Sequence, residues 1–171
     1  MNNHSYHQWS ARGFTLIELM VVIAIAAILM AVAVPSYMSF SANNNASDIT
    51  LILKASINRA KNEAVRQGTT MKLCALKSDG STNCGIATSW QYGWVIVPAS
   101  SSTIIQKYQP NGASGIVIST TGTPPLSFSA QGLMTPIATF TFTIKPPQCT
   151  SGFQVVVGAA GQTTTTQVTC P

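Results

Sequence analysis

The stretch Phe14-Thr15-Leu16-Ile17-Glu18-Leu19-Met20-Val21-Val22-Ile23-Ala24-Ile25-Ala26-Ala27-Ile28-Leu29-Met30-Ala31-Val32-Ala33-Val34 holds one charge, Glu18, among otherwise apolar or small residues. A helix of about 20 apolar residues spans the hydrocarbon core of a bilayer. Ahead of it lies a hydrophilic segment, Met1 to Gly13, ending Ser10-Ala11-Arg12-Gly13. Three processing schemes fit this layout. A conventional signal peptide would be cut after the small-residue site Ala31-Val32-Ala33. A plain transmembrane anchor would not be cut at all. A short leader would be cut just before the apolar block, which then stays in the mature chain.

Glu18 separates these schemes. A carboxylate at mid-bilayer costs about 2.5–3.5 kcal/mol on insertion scales, and neither of the first two schemes has a use for it. Cleavage after Gly13 makes Phe14 the new N-terminus and puts Glu18 one helical turn in. There the field of the helix N-terminus favours an anion. A free α-amino group, its own or a neighbour's, offers it a partner.

Around this point the residues Arg12-Gly13-Phe14-Thr15-Leu16-Ile17-Glu18 resemble the processing site of type IV prepilins and type II secretion pseudopilins. The resemblance implies cleavage between Gly13 and Phe14 by prepilin peptidase, and methylation of the Phe14 amino group. It also implies that Glu18 neutralises the N-terminus of an adjacent subunit during assembly. Pro35 falls where pilins commonly carry a helix-bending proline.

Beyond Pro35 the helical pattern continues. Asn43-Asn44-Asn45 is a weak point, because Asn is a poor helix former. Ile49, Leu53, Ile57, Ala60 and Ala64 then recur at spacings of three and four, one apolar face of a helix. Lys54, Asn58, Arg59, Lys61, Asn62 and Arg66 take the other side, with Arg59 and Glu63 spaced to pair. Gly68 is the expected stop. The reading is a helix from Phe14 to about Gln67, apolar all round in its first half and amphipathic in its second.

From Thr69 onward the signals are those of strands. Thr70–Ala75, Trp94–Val97, Thr103–Ile105, Ile116–Ile118, Ala138–Ile144, Phe153–Val157 and Thr163–Thr169 are β-prone runs. They are separated by Asp79-Gly80, the Pro124-Pro125 interruption and Gly158-Ala159-Ala160-Gly161. Phe140, Phe142 and Ile144 alternate with Thr139, Thr141 and Thr143, the period of a half-buried strand. A symmetric hairpin about Gly158–Gly161 sets Val157 opposite Gln162 and Cys149 opposite Cys170. Cys74 and Cys84 flank the Asp79-Gly80 turn. The expected disulfides are therefore Cys74–Cys84 and Cys149–Cys170, each contributing about 2–4 kcal/mol. An even cysteine number without Cys-x-x-Cys suits an oxidising compartment.

The 171 residues are 46% hydrophobic and only 8% charged, with a formal net charge of +5. Ordinary domains carry about 25% charged residues, so this surface repels copies of itself weakly. The basic excess is too small to identify an acidic partner. Both histidines, His4 and His7, lie in the leader. Glu18, Asp48, Glu63 and Asp79 suggest no carboxylate pair, and no phosphate-binding loop or nucleophile elbow appears. The reading is therefore not an enzyme, with no metal and no cofactor. Trp90, Tyr92 and Trp94 are read as core aromatics rather than a ligand groove.

The order Arg59-Ala60-Lys61-Asn62-Glu63-Ala64-Val65-Arg66-Gln67-Gly68, Met71-Lys72-Leu73-Cys74, Cys84, then Trp90-Gln91-Tyr92-Gly93-Trp94 resembles the GspH/FimT branch of minor pilins and pseudopilins. This implies an α+β fold in which the second half of the helix packs on a two-sheet antiparallel β head. It implies the parts 1–13 as leader, 14–34 as transmembrane and assembly helix, 35–68 as its amphipathic continuation and 69–171 as a periplasmic head. It implies a single-pass subunit of the bacterial inner membrane that partners other pilins through its N-terminal helix. That subunit then enters a type IV pilus or a type II secretion pseudopilus, near the tip, and helps initiate it. Some members of this branch bind DNA through a pattern like Gly-Arg-x-Arg. The matching residues here are Gly161-Gln162-Thr163-Thr164, without either arginine, which leaves Lys107 and Lys145 as candidate DNA contacts.

Overall fold

The computed structural model describes residues 13–78, 84, 90–110, 115–147 and 151–170. The Asp79-Gly80 turn and Cys149 lie outside them. The chain divides into two compact units, Met1–Met38 and Ser39–Pro171. One helix, α1 (Leu16–Gln67), contributes residues to both.

In the first unit nearly every described side chain is exposed, from Phe14 at 86% to Met38 at 56%. The segment is apolar, and its most apolar stretch is left unburied. It is the one helix among the described residues long and apolar enough to cross a membrane. Pro35 lies within α1, where its ring removes a backbone N–H from the ladder.

The second unit is the head. Helix α1 passes through Asn43-Asn44-Asn45 without a break. Ala46 and Ile49 are buried in the core immediately beyond, so packing outweighs the poor propensity of the asparagines. The expected apolar face is the buried one: Leu53, Ile57, Ala60 and Ala64 are wholly buried and Ile49 nearly so. Thr50 also points inward, its hydroxyl donating to Ala46 O at 2.7 Å. The helix ends as Gly68 predicts. Gly68 has φ 63°, its N–H donates to Val65 O, and Thr69 N–H donates to Ala64 O. This pair of bonds is a Schellman cap, which needs a residue tolerant of the left-handed region.

Two four-stranded antiparallel sheets follow. The first has the order β3-β2-β1-β5, from β1 (Met71–Ala75), β2 (Trp94–Pro98), β3 (Gln106–Tyr108) and β5 (Leu126–Phe128). The second has the order β4-β6-β7-β8, from β4 (Val117–Thr121), β6 (Phe140–Lys145), β7 (Ser151–Val157) and β8 (Thr163–Thr169). One hydrophobic core joins the α1 face to both sheets: Met71, Leu73, Trp94 and Ile96 from the first, Phe140, Phe142, Ile144, Val155 and Val157 from the second. Strands β1 and β2 are also buried on the reverse face. There Cys74, Leu76, Val95 and Val97 form a second cluster with Cys84 packed against it.

Three local expectations change. Thr103-Ile104-Ile105 is not a strand. Ser101 and Thr103 bond one another in a turn, and pairing with β2 begins only when Ile105 N–H donates to Ile96 O. Second, the chain after Pro124-Pro125 does not stay irregular but forms β5, which borders β1. Third, the last hairpin is offset by one residue. Val157 faces Thr163, not Gln162. Gly158 N–H donates to Gln162 O, Gly161 N–H to Gly158 O, and Gly161 sits at φ 71°. This is a three-residue loop with a left-handed last residue, so the hairpin has an odd centre.

Candidate functional site

At its start, α1 is closed by its own side chains. Thr15 N–H donates to Glu18 Oε2 at 2.9 Å, and the Thr15 hydroxyl donates to the same oxygen at 3.0 Å. Glu18 N–H returns the bond to Thr15 Oγ1 at 3.3 Å. This is a capping box, in which a Thr at the cap and a Glu three residues on satisfy each other's orphan donors. It falls directly after Gly13-Phe14, so the residues of the expected processing site lead straight into the helix. Glu18 shares an open, largely apolar helix surface with Phe14, Ile17, Val21 and Val22. Glu18 was legible in the sequence. The role of Thr15 was not read, although Thr-x-x-Glu before an apolar run was its signal.

The second glutamate of α1 does not take the partner its spacing suggested. Glu63 accepts from Arg66, through Nε and Nη2, and from Gln67. Arg59 contributes only a weak field. These hydrogen bonds, Arg66 first and Gln67 next, pull the Glu63 pKa down to about 2.

In the head, Cys74 and Cys84 form the expected disulfide, with Cα atoms 5.1 Å apart. The expected partner of Cys170 is Cys149, outside the described residues. Trp90 and Trp94 are buried, with Trp90 edge-on to Phe142 at 4.8 Å and Trp94 tilted on Tyr108 at 4.5 Å. Tyr92 is 40% exposed. The aromatic series is therefore chiefly core.

The candidate DNA contacts are not brought together on one strand or sheet. Lys107 is on edge strand β3 of the first sheet, and Lys145 closes β6 inside the second. Gly161 forms the β7–β8 turn against α1. A Cβ there would meet Lys61 Cδ at 2.9 Å and Gly132 O at 3.0 Å, and Lys61 Nζ donates to Ala160 O at 2.9 Å. Gln162 and Thr164 are exposed and uncharged. Among the described residues no three His, Cys, Asp or Glu side chains group as metal ligands.

A long helix, apolar at its start and buried at its end in a two-sheet antiparallel head, defines a pilin-like subunit. The family model "Type II transport protein GspH" matches residues 52–161, more than half of the chain. The "Prokaryotic N-terminal methylation motif" matches residues 10–34. The chain belongs to the GspH family of pseudopilins and minor pilins, a family of structural subunits. Its fold is similar to that of the type IV minor pilin FimU of Pseudomonas aeruginosa strain PAO1, with a TM-score of 0.60 at 23% identity over 73% of this chain and 90% of that one. Across 44 residues it is 52% identical to the type IV major pilin protein PilA of Myxococcus xanthus strain DK1622, covering 26% of this chain and 20% of that one. It is 40% identical across 73 residues to prepilin peptidase-dependent protein D of Escherichia coli strain K12, covering 43% and 42%. The chain thus matches less than half the length of these two relatives.

Proposed function

We propose that this chain is a minor pilin or pseudopilin that is processed between Gly13 and Phe14, methylated on Phe14, and assembled into a type IV pilus or type II secretion pseudopilus that it helps initiate. The division follows the sequence reading: leader 1–13, assembly helix 14–34, continuation 35–68 and head 69–171. The subunit is held in the bacterial inner membrane with its head in the periplasm until it joins the filament. Cys149–Cys170 is the second disulfide of that oxidised head.

The observation that carries this reading is the Thr15–Glu18 capping box immediately after Gly13. Both donors of Thr15 fall on one oxygen of Glu18, which keeps the carboxylate beside the amino group that cleavage would create. In a water-free filament core that carboxylate needs a cation, and a neighbouring subunit's N-terminus is one. Pro35, absent a ladder N–H, gives the helix a place to bend as it packs.

Mass spectrometry of the chain purified from its own cells tests the proposal. The expected mature N-terminus is a methylated Phe14. A chain beginning at Val34 would show a conventional signal peptide and remove the assembly helix altogether.

A further inference from the structure

Helix α1 changes character at two polar-tipped residues. Residues 19–36 carry no charge and no aromatic ring, and Ser36 holds the only hydroxyl among them. Glu18 closes this run on one side and Tyr37 on the other. Beyond Tyr37 the polar residues return with Ser39, Ser41 and Asn43-Asn44-Asn45. Tyr37 is 72% exposed and belongs to neither buried cluster of the head, so core packing does not account for it.

The run has a definite length. Positions 18 and 37 lie about 28 Å apart along a helix that rises about 1.5 Å per residue. The hydrocarbon core of a bilayer is about 30 Å thick. An aliphatic run of that length, ended by a carboxylate and by a phenol, meets both faces of the slab at once. Tyrosine favours such a boundary, because its ring is apolar and its hydroxyl seeks water.

This register also relieves the cost of Glu18. A carboxylate is expensive at mid-bilayer, but at the edge it reaches water and headgroups. The two ends then oppose sliding in opposite directions. Movement toward the head would draw Glu18 into hydrocarbon. Movement away from it would draw in the Tyr37 hydroxyl and Ser39. The Gly13–Phe14 bond, beyond Glu18, stays outside the slab, where hydrolysis finds water.

We propose that Tyr37 is an interfacial anchor, seated among the phospholipid headgroups on the head side of the membrane. Together with Glu18 it fixes the depth of the helix, and the span is 18–37 rather than 14–34. This rests on the reading of the chain as a membrane-held subunit. It adds the lipid surface that Tyr37 binds and the register that this contact sets.

Maleimide labelling of the full-length chain, in vesicles of phosphatidylethanolamine and phosphatidylglycerol, tests the depth. The maleimide cannot cross the membrane and is added outside. Each variant with one added cysteine is normalised to Gln162→Cys, exposed on the head. Among the described residues no cysteine is free, so the natural chain sets the background. Asn44→Cys is expected to label freely. Ala33→Cys, about 6 Å inside Tyr37 at about 1.5 Å per residue, is expected to be protected, and Ser39→Cys to label. Tyr37→Leu joins the aliphatic run to Met38 and Phe40 and removes the anchor, so the helix sinks away from the head. Added to Ser39→Cys, it should cut labelling severalfold. Tyr37→Trp should keep it, because Trp prefers the same boundary. A loss with both substitutions or with neither would overturn the proposal, as would Ala33→Cys labelling as fast as Asn44→Cys. Failure of the membrane reading itself has a different sign: an alkaline wash then strips the chain from the vesicles whatever stands at position 37, and both readings fall.

Discussion

Glu18 and Glu63 both lie on α1, and each accepts hydrogen bonds from groups within one helical turn. Glu18 takes both from Thr15, a neutral partner, so its charge is oriented but not neutralised. Glu63 takes the Arg66 guanidinium and Gln67, and its charge is matched on the spot. The Glu63 carboxyl is held near 2 against an ordinary value of 4.5. A lowered folded pKa adds stability that is fully present above 4.5 and is lost as pH falls toward 2. The stability difference between the natural chain and Glu63→Gln should therefore be flat from neutral pH to about 5 and shrink below it. Thermal midpoints measured along that pH range check this. The contribution is small because Arg66 is exposed, so solvent and salt screen the pair.

The spacing of residues 59, 63 and 66 could not by itself say which arginine Glu63 would choose, since three and four residues apart are both neighbours on a helix. Position decides it. Arg66 is in the last turn, where a cation also meets the open carbonyls.

At the scale of elements, hydrophobic period was the most readable signal. Ile49, Leu53, Ile57, Ala60 and Ala64 gave the buried face of α1, and Phe140, Phe142 and Ile144 gave that of β6, because in both one side alone meets the core. Strand β5 was not legible. Its three residues follow Pro124-Pro125, and only its partner β1 makes Leu126–Phe128 a strand. The β7–β8 register was missed for a different reason. The sequence Gly158-Ala159-Ala160-Gly161 fits an even or an odd loop, and the left-handed Gly161, lodged against Lys61 and Gly132, selects the odd one.

Leu53 tests the weight of the shared core. It is wholly buried on α1 at the centre of the face that meets both sheets. Leu53→Ala should lower the stability of the head by about 2–5 kcal/mol through lost burial and the cavity left behind. Leu51, two residues away, is 60% exposed, and Leu51→Ala should change it by less than about 0.5 kcal/mol. Chemical denaturation of the two variants side by side gives the comparison.

For the whole molecule, the contrast lies between an apolar unit without internal packing and a head whose surface is polar but nearly uncharged. The first needs lipid or other helices around it. The second has little to offer a polyanion. Its described cations are spread over α1 (Lys54, Arg59, Lys61, Arg66), β1 (Lys72), the segment after it (Lys77), β3 (Lys107) and β6 (Lys145). Lys61 is committed to Ala160 O and Arg66 to Glu63. Sequence-independent DNA affinity comes from cations that neutralise phosphates together. The detergent-solubilised chain should therefore give no salt-sensitive mobility shift of duplex DNA at micromolar protein. The positions that would have supplied such cations, Gln162 and Thr164, are exposed beside the turn that Gly161 fixes. Placing arginines there, as Gln162→Arg with Thr164→Arg, should create binding where the natural chain has none. Two added phosphate contacts steepen the fall of log affinity with log salt by about 1.8, at about 0.9 per contact. A natural chain that already shifts DNA with a steep salt slope would instead place a cationic groove elsewhere on the head and make this chain a DNA-binding subunit.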